Sequence, residues 1–218
     1  MSLHFESSGG GLEVAGGACS TGTIMALPPG TIPMGDPADI RAAEKTGSYG
    51  QITVKRYDAE TFSLFGTAWE QASKQTKLAV ARAYEPLSVQ HYRNTATRGQ
   101  HELIVDHLDR EQTPEETAAY LAVGDNNSTS ASSSDTSLNN ETYRTTVTDS
   151  ADTGTELELT TYLGATEANS ADAIREVGLF SAANQGEGHM LNHSLVDPEP
   201  KNSEVSITVT VTLGYRAV

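Results

Sequence analysis

From Ser203 to Tyr215 the chain alternates almost without a break. Val205, Ile207, Val209, Val211 and Leu213 fall on one side, Glu204, Ser206, Thr208, Thr210 and Thr212 on the other. A period of two is the signature of a strand, here with one apolar face and one wet or subunit-facing face. Shorter runs over 142–148, 155–163, 173–180 and 189–195, separated by turn residues, extend the pattern to five strands at hairpin spacing. Such spacing predicts a mainly β fold, an antiparallel β-sandwich. Upstream, Tyr120-Leu-Ala-Val-Gly124 reads as a further strand. Gln51–Tyr57 sets Ile52, Val54 and Arg56 against Thr53, Lys55 and Tyr57. Residues 62–69, 77–84 and 87–92 are also strand candidates, although the Ala-rich piece 68–83 suits a helix equally well. One short helix is expected between Thr97 and Arg110, where Leu103, Ile104 and Leu108 form an apolar stripe. Asp125 to Asn140 is a polar loop long enough to require a purpose or mobility.

The segment Ala173-Ile-Arg-Glu-Val-Gly-Leu-Phe180 breaks the simple pattern. Ile174 and Val177 both look buried, yet two charged residues separate them, so Arg175 and Glu176 cannot both point into open solvent. Gly178 marks a bulge or a close backbone approach. Arg175 and Glu176 are either a catalytic pair or a structural charge pair. With no nucleophile, base or metal ligand to join them, the structural reading stands, with Glu141 or Arg144 as partners across the sandwich or a subunit boundary.

Composition narrows the function classes. The 218 residues carry a net charge of −15, which argues against nucleic acid as a partner. Of the 14 basic residues, five are lysines (Lys45, Lys55, Lys74, Lys77, Lys201), against 29 carboxylates. A strongly acidic, lysine-poor chain is expected of a protein that works in high salt, where self-repulsion is screened. Cys19 is the single cysteine, so no intrachain disulfide is expected. Met1-Ser-Leu-His-Phe-Glu6 lacks the features of a secretory leader, and no run is long and apolar enough for membrane insertion. Residues 1–36 are rich in Gly, Ser, Thr and Pro and read as an extended arm held by neighbouring chains. A small β unit over 37–95 and the sandwich over 96–218 complete the expected organisation.

Other constellations fail on spacing. His101-Glu102 lacks a second histidine at position 105, which is Val105. His189 and His193 would sit about 13 Å apart along a strand, too far for one ion, and are read as surface or hairpin residues. Gly47-Ser-Tyr-Gly50 is one residue short of a nucleophile elbow, and no phosphate loop occurs. Asp125-Asn-Asn-Ser128 and Asp149-Ser-Ala-Asp152 match no twelve-residue calcium loop, and turn chemistry accounts for both. No cofactor or metal is expected. Glycosylation sequons stand at Asn126, Asn127, Asn140 and Asn192.

The order of segments from about residue 97 resembles a virion module found in tail-fibre and baseplate-associated proteins of tailed viruses. The resemblance rests on a short helix, Tyr120-Leu-Ala-Val-Gly124, a polar loop, and Asp135-Thr-Ser-Leu-Asn-Asn-Glu141 with Arg144. It continues through Glu167-Ala-Asn169, Ile174-Arg-Glu-Val-Gly-Leu-Phe180, Leu191-Asn-His-Ser194 and the final Thr/Val strand. It covers a little over half the chain. It implies a β-sandwich virion protein without catalytic residues, assembled as a ring or trimer with copies of itself and other virion proteins. A tail-tip, baseplate or fibre-adaptor position is expected ahead of a capsid turret or decoration protein. The acidity fits a virus of halophilic archaea. A recognition role toward a host-surface glycan or receptor falls on the loop with Asp125, Asn126, Asn127 and Asp135, beside Tyr120 or Tyr143.

Overall fold

The alternating residues 205–213 form the centre of one of two five-stranded antiparallel sheets. In the computed structural model the described residues are 48–108, 118–126, 130–169 and 173–215. The first part of the chain forms β1 (Ser48–Asp58), α1 (Ala59–Ser63), α2 (Thr67–Gln71), α3 (Lys74–Arg82), β2 (Ser88–Arg93), β3 (Thr95–Ala96) and α4 (Arg98–Leu108). The rest forms β4 (Tyr120–Gly124), β5 (Glu141–Thr146), β6 (Asp149–Asp152), β7 (Glu156–Leu163), β8 (Ile174–Phe180), β9 (Met190–Glu199) and β10 (Val205–Tyr215). One sheet has the order β2-β1-β10-β7-β6, the other β3-β9-β8-β4-β5.

The expected alternation fixes the core. Val54 pairs with Val209, Ile52 with Val211, and Val211 in turn with Leu159, so one face of the first sheet is aliphatic. It packs against Leu121, Val123, Val177, Leu179 and Leu191 of the second sheet. Each of these side chains, once buried, contributes about 1.5–3 kcal/mol. The fold is the expected antiparallel β-sandwich.

Residues 37–95 do not stand apart as a small β unit. β1 pairs with β10 along its whole length, from Ser48↔Tyr215 to Asp58↔Val205, and β2 pairs with β1. These strands complete the sandwich, and every described residue falls in the single unit Asp36–Val218. Alternation cannot reveal this, because a strand does not say which partner it will find.

The strand candidates at 62–69 and 77–84 are helical, as the composition of 68–83 allowed. Asp58 caps α1 by accepting from the Glu60 amide at 2.9 Å, and Ser73 caps α3 by accepting from the Thr76 amide at 3.1 Å. Gly66, with φ of 58°, separates α1 from α2. Phe62, Leu78 and Ala81 then pack on Tyr57 and Tyr162, on the polar side of β1 and β7. The Tyr162 hydroxyl donates to Ser206 Oγ at 3.1 Å, and Ser206 and Thr208 are buried. That end of the polar face of β10 is therefore covered by its own chain, not kept for a subunit. Residues 1–47, where the expected arm lies, are outside the described residues.

Candidate functional site

The pairing of β8 with β9 is irregular at the start of β8. Ile174 pairs with Glu199 but Glu176 pairs with Leu195, so three residues of β9, 196–198, stand opposite Arg175 alone. Across this irregularity Ile174 and Val177 both reach the core, and Glu176 turns to the outer face, fully buried there. Gly178 is not the bulged residue. It is a close approach: a Cβ there would come within 2.9 Å of the Phe180 ring and 3.0 Å of Leu138 and Met190 side-chain carbons. Ala122, opposite Gly178 on β4, carries only a methyl group. The two leave a shallow seat on the sheet, which Leu138 fills together with Phe180 and Met190.

Leu138 belongs to the long polar loop, so this part of the loop is fastened down. The amide of Asn140 donates to Glu176 Oε1 at 2.8 Å, and that of Asn139 to Oε2 at 3.1 Å. Gly124 lies directly beneath, since a Cβ there would be 2.6 Å from both Glu176 Oε1 and the Asn140 carbonyl. A single buried carboxylate thus caps two loop amides and limits what can stand under it.

The remaining lone pairs of Glu176 face His193. Its Nε2 lies 3.2 Å from Glu176 Oε2, and its Nδ1 lies 2.6 Å from Asp135 Oδ2, which also accepts from the Ser132 amide at 2.7 Å. Donation to an ionised carboxylate at each nitrogen needs a hydrogen on both, so this setting favours the imidazolium. Burial opposes that charge, but the bonds to Glu176 and Asp135 outweigh it and raise the His193 pKa. Burial would likewise raise the Glu176 pKa, yet the bonds from His193 and the two loop amides hold it below the usual carboxylate range.

His193 is therefore not a surface or hairpin residue; it is wholly buried. A second register shift, between Leu179 and Phe180, puts it on the outer face, and the loop that carries Asp135 and Leu138 covers it there. With Leu191 in the core, unbroken alternation would send His193 inward as well, and the shift turns it outward beside Gly178 instead. His189, at the start of the same segment, stays partly exposed near Glu102, 3.4 Å away.

The expected charge cluster divides into separate pieces. Glu141 and Arg144 do pair, bidentately, through Nε–Oε1 at 2.8 Å and Nη2–Oε2 at 2.7 Å. Arg144 Nη1 donates to the carbonyls of Ala182 and Asn184, and the guanidinium stacks 3.8 Å from the Phe180 ring centre. This pair ties the start of β5 to the turn after β8, with side chains only 6% and 4% exposed. Glu176 bonds to neither of them nor to Arg175, because its partners are the loop and His193. Arg175, half-buried, lies opposite the bulged part of β9.

Of the expected recognition loop, Asp125 Oδ1 accepts from the Asn140 side chain at 2.5 Å and Asp135 is committed to His193. Asn126 is half-buried, and Asn127 lies outside the described residues. The Asn192 sequon is closed off, since that side chain is buried and its Oδ1 accepts from the Leu179 amide at 2.7 Å.

Chemically, the Asp135–His193–Glu176 line holds charge and position. A histidine acting as general base needs one nitrogen free to take a proton from a nucleophile, and here each nitrogen is already engaged by a carboxylate. No protein-family model matches the chain, and no characterised protein or solved structure does either.

Proposed function

We propose that this chain is a structural protein of a tailed-virus particle, a tail-tip, baseplate or fibre-adaptor component that assembles as a symmetric oligomer. One observation carries the reading beyond the resemblance. Leu64 and Phe65, in the α1–α2 turn, are 85% and 44% exposed; Tyr84 and Leu87, between α3 and the edge strand β2, are 40% and 64% exposed, and Val89 within β2 is 45% exposed. Phe65 and Tyr84 meet edge to face at 6.4 Å, which joins the two groups into one apolar corner. A concentration of large apolar side chains in water marks a surface that another molecule covers.

Two further features support an assembling role. The segments that carry the resemblance fasten two loops: Leu138, Glu176 and His193 hold the 130–140 loop, and Glu141 with Arg144 ties β5 to the turn after β8. Their charges are buried, so salt screens them far less than it would surface pairs. That suits a rigid part of a particle in a saline medium, as the charge of −15 also does.

The test is incorporation. Particles of the encoding virus, purified and analysed by quantitative mass spectrometry, should contain the chain at a fixed ratio to other tail proteins. Deletion of residues 1–36 should leave the sandwich folded and remove the chain from particles. Its absence from wild-type particles, with free chain abundant in the lysate, would refute the proposal.

A further inference from the structure

The turn between β7 and β8 meets the chain just after β9 at an amine and an amide. Lys201 is only 3% exposed. Its Nζ donates to Asn169 Oδ1 at 2.8 Å and to the Asn202 carbonyl at 3.2 Å, both neutral acceptors. Burial brings its pKa down to about 8, against the opposing pull of the Glu167 charge. A desolvated lysine of this kind is a nucleophile near neutral pH.

Asn169 is held for that amine. Its Nδ2 donates to the Ala165 carbonyl at 2.8 Å, which leaves Oδ1 and the carbonyl carbon toward Lys201. The preceding residue, Ala168, is buried and has φ of 54°, a left-handed conformation that alanine adopts only at a cost. Glu167 is fixed in turn by the Gly164 amide at 2.9 Å, the Tyr143 hydroxyl at 2.8 Å and Lys74 at 2.6 Å. The strained turn 164–169 thus presents an amide to a buried amine, and simple hydrogen bonding of a surface asparagine requires no such strain.

We propose that Lys201 and Asn169 join in an isopeptide bond, a covalent staple that the protein forms on itself. The neutral Nζ adds to Cγ of Asn169, forming the new C–N bond. The proton that Nζ loses passes to Nδ2, and the Cγ–Nδ2 bond breaks to release ammonia. One amide replaces another, so no oxidant, reductant or cofactor is consumed. The Glu167 carboxylate stabilises the positive charge that develops on Nζ during addition. Proximity replaces an external catalyst, since the reacting groups are already in hydrogen-bond contact. Asn169 is exposed on its other side, which gives ammonia a path out. The bond would close the chain between positions 169 and 201 around β8 and β9, the two strands that carry Glu176 and His193.

Intact-mass and peptide-mapping measurements on the full chain, fresh and after incubation above about pH 8, decide the matter. The expected mass is that of the sequence less one ammonia, with a branched peptide joining Asn169 to Lys201. Lys201→Arg, which keeps a cation at the site, and Asn169→Ala should both show the full sequence mass. Linear peptides at full mass in the wild type would overturn the proposal. So would an ammonia loss that survives in Lys201→Arg, which identifies a succinimide at Asn169, or a simple deamidation of Asn169.

Discussion

Glu176 and His193 face each other at 3.2 Å with neither side chain reaching water. Removing one member of such a pair leaves the other as an uncompensated buried charge. His193→Ala is therefore expected to destabilise the fold by about 3–5 kcal/mol. The double variant Glu176→Gln/His193→Gln, which keeps polar groups of similar shape without charge, should lose clearly less than Glu176→Gln and His193→Gln summed. Denaturant unfolding of the four proteins measures this coupling, and strictly additive losses would show that the two residues act independently.

The same pair dictates a pH window. His193 titrates above its ordinary value of 6.5, so its contribution is complete below 6.5 and disappears as pH rises through the raised folded value. Glu176 titrates below its ordinary value of 4.5, so its contribution is complete above 4.5 and disappears as pH falls through the lowered folded value. The difference in thermal midpoint between wild type and the double Gln variant should peak between these two values and shrink on either side. A difference that stays flat well above 6.5 would mean the imidazolium is not what stabilises the loop.

Arg144 uses its guanidinium in three ways: a bidentate grip on Glu141, two backbone carbonyls and the Phe180 face. Lysine reproduces the charge and none of the planar geometry. Arg144→Lys should cost about 2–3 kcal/mol, from lost charge-assisted bonds and stranded carbonyls. It should also speed amide hydrogen exchange in the 182–188 turn. Wild-type exchange there would mean that the turn is held by something else.

Gly124 and Gly164 provide a matched comparison. Gly124→Ala sets a methyl 2.6 Å from Glu176 Oε1 and should cost about 1–3 kcal/mol. Gly164→Ala meets nothing nearer than 3.5 Å and should stay within about 0.5 kcal/mol of wild type. Chemical denaturation separates the two, and equal effects would show that the loop yields easily above β4.

The sandwich was readable because β10 and β7 keep strict phase: Val209 and Leu159 are inward for the reason a two-residue period gives. The site was not readable, because a one-residue shift at Leu191 reverses that phase in β9 and because alternation does not show a loop folding back over β8. The shift places His193 on a face where alternation from Leu191 does not put it. The glycine before Leu179 did signal a close approach, and Gly178 with Ala122 explains where Leu138 sits. Helices α1–α3 were ambiguous because Phe62 and Trp69 suit a strand as well as an aromatic cluster, and only the caps at Asp58 and Ser73 favour the helix. Short polar strands such as β3 and β6 carry no apolar signal. They exist because partners in β9 and β7 are present to pair with them.

The proposal that a partner copy covers the apolar corner is tested by sedimentation of the full chain at high salt, compared with Leu64→Asp/Leu87→Asp. Both side chains are exposed, so the variant should unfold like the wild type, within about 0.5 kcal/mol per substitution. The wild type should sediment as a single closed oligomer and the variant as a monomer. A wild-type chain that stays monomeric at every concentration, or a variant that assembles unchanged, would contradict it.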